Sequence, residues 1–483
     1  MAAVELRVDI STLTDTIISG DTGRIISVSR ELLQEERHAD VLIGRIGLLA
    51  VPGDPKGHAV ITLAAAAMLA RFLRARPAPL DETAPSQMRA FALFVQAMLT
   101  AVPALRAAHL AHIEYPAAFF PSELIDAGKS INEVMNEAIE NNNAEMAERI
   151  LRGFYGTGAD YRTLQVRTYE SLATTFNDGG DPFIYAVRGF QLLDTVEWGK
   201  SVPVIIHWLA PHLTIKPDSV QPAWSNEVRR YTADPAHSLA TIRTRLSAPK
   251  DASALPLREI LLSNANTTQV CQAVYDALIS NEASPRAVAS VISLAAADLL
   301  QRVEENSREV FFNVAHALLF ASATGIVYRQ VQDVEALNLL FTAASYVNAL
   351  QKEITAQNAP QAEPIAPAAS SPTAGGGLIA VSQLETLEEQ LKNLDVRGAL
   401  TTSQRYLSLG HNAQALFGTI GLNAALNDTA IDQGQSLQIV EAAGQDFIFW
   451  PRSLVNVNIE PFLHVALRAA AFGQRNTTIA NLA

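Results

Sequence analysis

The sequence predicts an all-α protein built from four diverged copies of one helical unit about 125 residues long. Three observations carry the prediction. Apolar residues recur at helical spacing along most of the chain, and alternating β-branched runs are few. A polar residue opens an apolar helix at His58, Asp181, Glu309 and Gln435, at steps of 123, 128 and 126 residues. The turn after the first helix of each unit lies about 38 residues upstream of that point. A fixed period with preserved internal order is the signature of duplication. The expected architecture is stacked helical hairpins, either solenoid-like or as two packed pseudo-symmetric halves.

The units are expected at 1–120, 121–250, 251–355 and 378–483. In the first, helices 12–18 and 22–33 flank the turn Ser19-Gly20-Asp21, and 41–51 forms a third helix. Pro52-Gly53-Asp54-Pro55 turns the chain into a central helix reaching about Leu73. A final pair from 85 to 113 is expected to break near Pro103, since proline removes a helical hydrogen bond. The second unit repeats the order. Helices 131–139 and 144–154 flank Glu140-Asn141-Asn142-Asn143, 162–176 is the third helix, and Asn177-Asp178-Gly179-Gly180 precedes the central one. There Asp181 is expected to cap the first turn, and Pro182 suits that turn because its missing N–H has no partner anyway. Phe183, Ile184, Val187 and Phe190 recur at helical spacing, and Leu192, Leu193 and Val196 widen the stripe, as in a buried helix. Helices 257–262, 268–279 and 286–300 precede EVFFNVAHALLFASA in the third unit; 384–391, 397–407 and 413–426 precede QSLQIVEAAG in the fourth. Residues 356–377, AQNAPQAEPIAPAASSPTAGGG, have almost nothing to bury and read as a linker, leaving the fourth unit free to dock loosely.

Composition bounds the function. The formal net charge is −13, with no compensating Lys/Arg run, which argues against nucleic acid or an anionic membrane as partner. One cysteine, Cys271, excludes an intrachain disulfide and a four-cysteine metal site, and fits a reducing compartment. The N-terminus has acids and no apolar signal core, and the run at 59–73 is too short to span a bilayer. The expected setting is cytoplasmic.

Four aligned polar positions, His58, Asp181, Glu309 and Gln435, are the first candidates for chemistry. Capping explains three of them: Asp181 as a cap, Glu309 three residues after Asn306, and Gln435 three after Asp432. His58 escapes this account because Asp54 already supplies a cap. Seven residues on, the column reads Ala65, Arg188, His316 and Ala442, on the same helical face. Glu309 with His316, and Asp181 with Arg188, are thus expected to share a groove. The plain alternatives are an ion pair for Arg188 and a hydrogen-bonded core histidine for His316. His109 and His112, spaced H-x-x-H, put two imidazoles on one helical face as a metal edge needs, but the H-E-x-x-H pattern is absent and a solvated helix end is the preferred account, so no metal is expected. His207 and His212 flank WLAP, where Pro211 is expected to disrupt the helix. No P-loop and no G-x-S-x-G elbow is present.

The stretch GDPFIYAVRGFQLLDTVEWGKSVPVIIHWLAPHL, with the later PAWSNEVRRY, resembles a helical module associated with some bacterial Rieske-type iron–sulfur proteins. The matching residues are Pro182, Ile184, Tyr185, Arg188, Leu193, Asp194 and Trp198; the histidine expected before the proline is replaced by Asp181. A Rieske cluster needs two Cys and two His, so with one Cys this chain carries none itself. The resemblance implies a redox-associated context.

Two readings of function follow. The first is a helical-repeat binding or accessory protein that takes a protein partner or small-molecule ligand on a surface formed by the central helices. The second is an oxidoreductase or metal-dependent enzyme with a pocket lined by His58, Asp181, Arg188, Glu309 and His316. Neither names a cofactor.

Overall fold

The computed structural model describes residues 8–78, 86–120, 122, 128–158, 161–173, 175–216, 220–239, 242, 249–304, 307–330, 334–356 and 377–482. Among them the fold is all-α, with an isolated bridge between Asn427 and Arg475 and no strand. The expected linker at 356–377 and the Asn306 cap fall almost wholly outside the described residues.

Helix starts follow local chemistry. Asp21, Asn143, Asp395 and Asn412 each accept a backbone N–H from the first turn of the helix they precede. Gly20, in the left-handed region at φ 70°, closes the first helix and gives up its N–H to that helix's last carbonyls.

Four central helices organise the rest: His58–Leu73, Asp181–Thr195, Arg308–Gln330 and Gln435–Ile448. The first packs on the second, the second on the third, the third on the fourth, and the fourth back on the first. They therefore close into a ring instead of stacking side by side as the solenoid expectation had it. The helices beyond residue 376 complete the ring and are not loosely docked: Gly421 lies against Leu69 and Gly418 against the backbone of Leu73.

The four run in one direction. At the starting end Gln438 bonds Thr62 at 3.0 Å, and at the finishing end Arg329 bonds Gln445 at 3.2 Å. Parallel helices align their dipoles unfavourably, and charge at each end offsets this. Asp54, Asp181 and Asp432 stand at the N-terminal end, Arg71 and Arg329 in the last turns.

Three of the ring helices are entered through glycine at positive φ: Gly57 at 74°, Gly180 at 94° and Gly434 at 75°. Each also backs onto the next helix. A Cβ on Gly57 would lie 2.7 Å from Tyr185, on Gly180 2.6 Å from Phe320, and on Gly434 2.1 Å from Thr62. Only glycine meets both demands.

Two expected breaks do not occur. Phe91–Leu110 runs through Pro103, and Val202–Leu213 runs through Pro211. The apolar faces around each proline are buried, and that packing outweighs one missing hydrogen bond. Two helices, Ser86–Leu110 and Arg308–Gln330, are long and apolar enough to cross a membrane, and most of each is buried against other helices here.

Candidate functional site

The site is built at the N-terminal end of the ring, where Asp181 and His316 meet. His316 Nε2 lies 2.7 Å from Asp181 Oδ1, and Tyr346 Oη lies 3.2 Å from His316 Nδ1. A carboxylate only accepts, so Nε2 carries the proton and Nδ1 accepts from the Tyr346 hydroxyl. Tyr185 donates to the Lys56 carbonyl at 2.5 Å and stands 3.3 Å from the second Asp181 oxygen. Burial and the nearby Asp181 charge push the Tyr185 hydroxyl far above its usual range. The Asp181 and His316 side chains are 31% and 24% exposed, so water reaches the pair.

Asp181 is thus not the cap of its helix. Gly180 holds the capping position with no side-chain bond, and the Asp181 oxygens are turned to His316 on the neighbouring helix and to the Tyr185 hydroxyl one turn along its own. The cap at the fourth helix is Asp432, which accepts from Gly434 and Ser436, while Gln435 is half-buried at the first helical position. At the first helix Asp54 accepts from Val60 at 2.8 Å, as expected, and burial pushes its carboxyl up. His58 sits half-buried beside it, and its charge draws the Asp54 carboxyl down in part.

The expected grooves do not form. Arg188 lies in the ring interior, 1% exposed, with Nη2 2.5 Å from Glu441 Oε2 off the hydrogen-bonding direction and Nη1 2.8 Å from Gln191. It is the ion pair, and it does not share a groove with Asp181. Gln445 bridges from Glu441 towards Arg329, and Asp446 sits 3.7 Å from Arg329 and bonds Ser293. Burial pushes the Asp446 carboxyl up and the Arg329 guanidinium down. Glu309 is exposed near the start of its helix, and it is Asp181 that engages His316. His109 stands at the surface near the end of its helix; His112 lies beyond it, 3.6 Å from Glu114, with both side chains of that pair exposed. Among the described residues no group of three or more His, Cys, Asp or Glu is placed to hold a metal.

A cleft of about 290 Å3 adjoins the Asp181 end. Val51, Pro52, Val204, Trp208 and His212 line it. Because Pro211 stays helical, His207 and His212 both reach this cleft. The Trp208 indole donates to the Asp54 carbonyl at 2.8 Å, and the His212 ring stands 4.9 Å from that of Tyr185. Burial lowers the His212 imidazole, so it stays neutral at pH 7. Sequence reasoning missed Tyr346 and the cleft, and singled out Tyr185 only through the module resemblance, with no role at the site. The W-x-x-x-H spacing of Trp208 and His212 was the one signal available for the cleft.

No protein-family model, no curated protein and no solved structure matches the chain.

Proposed function

We propose that the chain is a ligand- or partner-binding protein of four diverged helical units, closed into a ring, that binds at the N-terminal end of its central helices. The observation that carries this is the state of the ring interior. Its charged groups, Arg188, Glu441, Arg329 and Asp446, are committed to one another and to Ser293, Gln191 and Gln445. A catalytic site keeps an acid, base or nucleophile turned towards an empty volume. The interior reads instead as structural specification. The apolar cleft beside Trp208, with neutral His212 at its wall, suits an aromatic or aliphatic group of a ligand or of a partner's side chain. Four-fold duplication is supported by the recurring left-handed glycine and by matching hydroxyl bonds: Thr62 to the Gln433 carbonyl, Tyr185 to the Lys56 carbonyl. A cytoplasmic setting accords with a single buried thiol.

The test is affinity recovery on the immobilised full chain, with bound proteins and small molecules identified by mass spectrometry. Val204→Glu, which places a charge in the cleft at a half-buried position, is expected to abolish recovery of the specific ligand while leaving thermal stability nearly unchanged. Equal recovery by Val204→Glu refutes the location. Turnover of the recovered molecule that is lost in His316→Gln refutes the non-catalytic reading.

A further inference from the structure

A second cleft, remote in character from the first, carries a different chemistry. It encloses about 430 Å3, within the roughly 300–1,000 Å3 range of small-molecule sites. Arg30, Arg76, Arg89 and Lys392 line it with a single carboxylate, Glu388. Four cations and one anion give that lining a formal +3 in a chain whose net charge is −13. In an acidic protein such a concentration of positive charge is local and held in place by the fold. Arg76 is fixed by Glu388, and Arg89 donates to the Arg76 carbonyl at 2.5 Å. The Arg30 guanidinium stands 5.1 Å from the Phe91 ring centroid. A concave cationic lining with low-dielectric walls focuses potential into the cleft and draws anions to it. Guanidinium groups match the planar geometry of carboxylate and phosphate.

The floor is apolar: Phe91, Leu422, Leu426 and Leu482. One further group lies at this floor. Asn423 lines the cleft and is 2% exposed. Its amide nitrogen is spent on the Thr419 carbonyl at 3.2 Å, one turn back, while its Oδ1 is buried and accepts no hydrogen bond among the described residues. A buried acceptor left without a donor keeps the cost of its lost hydration. A ligand donor in the cleft would satisfy it.

We propose that this cleft binds a small amphipathic organic anion: an acidic group held at the Arg30–Arg76–Arg89–Lys392 rim, an apolar body on Phe91 and the leucines, and a hydroxyl or amine donor reaching Asn423. The cleft joins the first part of the chain to the last, since Arg30, Arg76 and Phe91 come from one side and Glu388, Lys392 and Asn423 from the other. Its ligand therefore bridges the seam at which the ring closes.

The experiment is isothermal titration calorimetry on the full chain with 3-hydroxyoctanoate, octanoate and 1-octanol. The expected result is saturable binding of the hydroxy acid at one site, octanoate weaker, and the neutral alcohol weaker by tenfold or more. Arg30→Gln and Lys392→Gln, both at exposed positions, are expected to weaken the acid about three- to tenfold each, and added salt to weaken it further. Val204→Glu, in the other cleft, should leave it unchanged, which separates this site from the one proposed above. Absence of saturable binding by all three probes overturns the proposal, as does equal binding of octanol or an unchanged affinity in both charge variants. Equal affinity for the two acids overturns the assignment of Asn423.

Discussion

The Arg188–Glu441 pair offers the sharpest test of the ring. Both side chains are essentially inaccessible, at 1% and 0%, and they meet at 2.5 Å between helices far apart in sequence. Removing one partner of a buried pair leaves an uncompensated charge and costs about 3–5 kcal/mol. Glu441→Gln should fall near 3, because Arg188 retains its bond to Gln191 at 2.8 Å. Arg188→Met should cost about 3–5, since Glu441 keeps only the Gln445 amide. The double change Arg188→Met with Glu441→Leu removes both charges and fills the space with apolar groups. It should lie within about 1 kcal/mol of the parent, or above it. The coupling energy from the cycle is then about 5 kcal/mol or more. Urea unfolding followed by circular dichroism and tryptophan fluorescence measures all four proteins. Single variants each costing under about 1 kcal/mol, the value of an exposed pair, would show that the two groups are solvated and that the ring does not close there.

Three further predictions follow from single residues. Gly180→Ala should lose about 2–4 kcal/mol by thermal denaturation, from positive φ and from the 2.6 Å clash with Phe320, whereas Gly128→Ala, at φ 66° with open space around it, should lose about 1. Burial holds His464 neutral, pushed down to about 3 from 6.5. Its contribution is therefore fully present above pH 6.5 and is lost as pH falls, because only the unfolded chain takes up the proton. At about 1.4 kcal/mol per pH unit, the stability difference between His464→Leu and the parent should shift by about 2 kcal/mol in the variant's favour from pH 7 to pH 5. An unchanged difference refutes the burial argument. Cys271 is buried and its thiol is pushed up to about 11, so a disulfide thiol reagent should react with it only after denaturation; rapid reaction of the folded chain would contradict this.

Much of the fold was legible because its signals are local. The Ser19-Gly20-Asp21 turn places a left-handed glycine at one helix end and a capping aspartate at the next helix start, and both do what their chemistry dictates. What the sequence misled about is non-local. Pro103 and Pro211 carry a local penalty that tertiary burial outweighs. The Arg188–Glu441 pair, the Asp181–His316 contact and the cationic cleft each join residues more than a hundred positions apart, and no spacing rule reaches that far. Net charge of −13 spoke against basic surfaces in general and was silent about four cations brought together by folding.

The Asp181 cap and the Glu309 anchor went wrong for one shared reason. Equivalent helices of the ring do not all begin at equivalent points. The contacts around the ring give a different register. Gly57 backs onto Tyr185, four residues after Asp181, and Gly434 backs onto Thr62, four residues after His58. Gly180 backs onto Phe320, four residues after His316. On the proposed four-unit reading, His316 and not Glu309 is therefore the counterpart of His58 and Asp181, and the third helix begins about two turns early. That extension explains why Glu309 is exposed at the outer end while His316 lies level with Asp181. It also explains why Asp181 does not cap. In a ring of parallel helices, the first residue of one helix faces the equivalent residue of the next, and a carboxylate facing an imidazole forms the stronger, charge-assisted contact. Glycine at positive φ enters the helix without using the residue after it as a cap: Asp54 and Asp432, both before the glycine, reach first-turn N–H groups of the first and fourth helices, and the residue after the glycine is free for whatever the neighbouring helix presents.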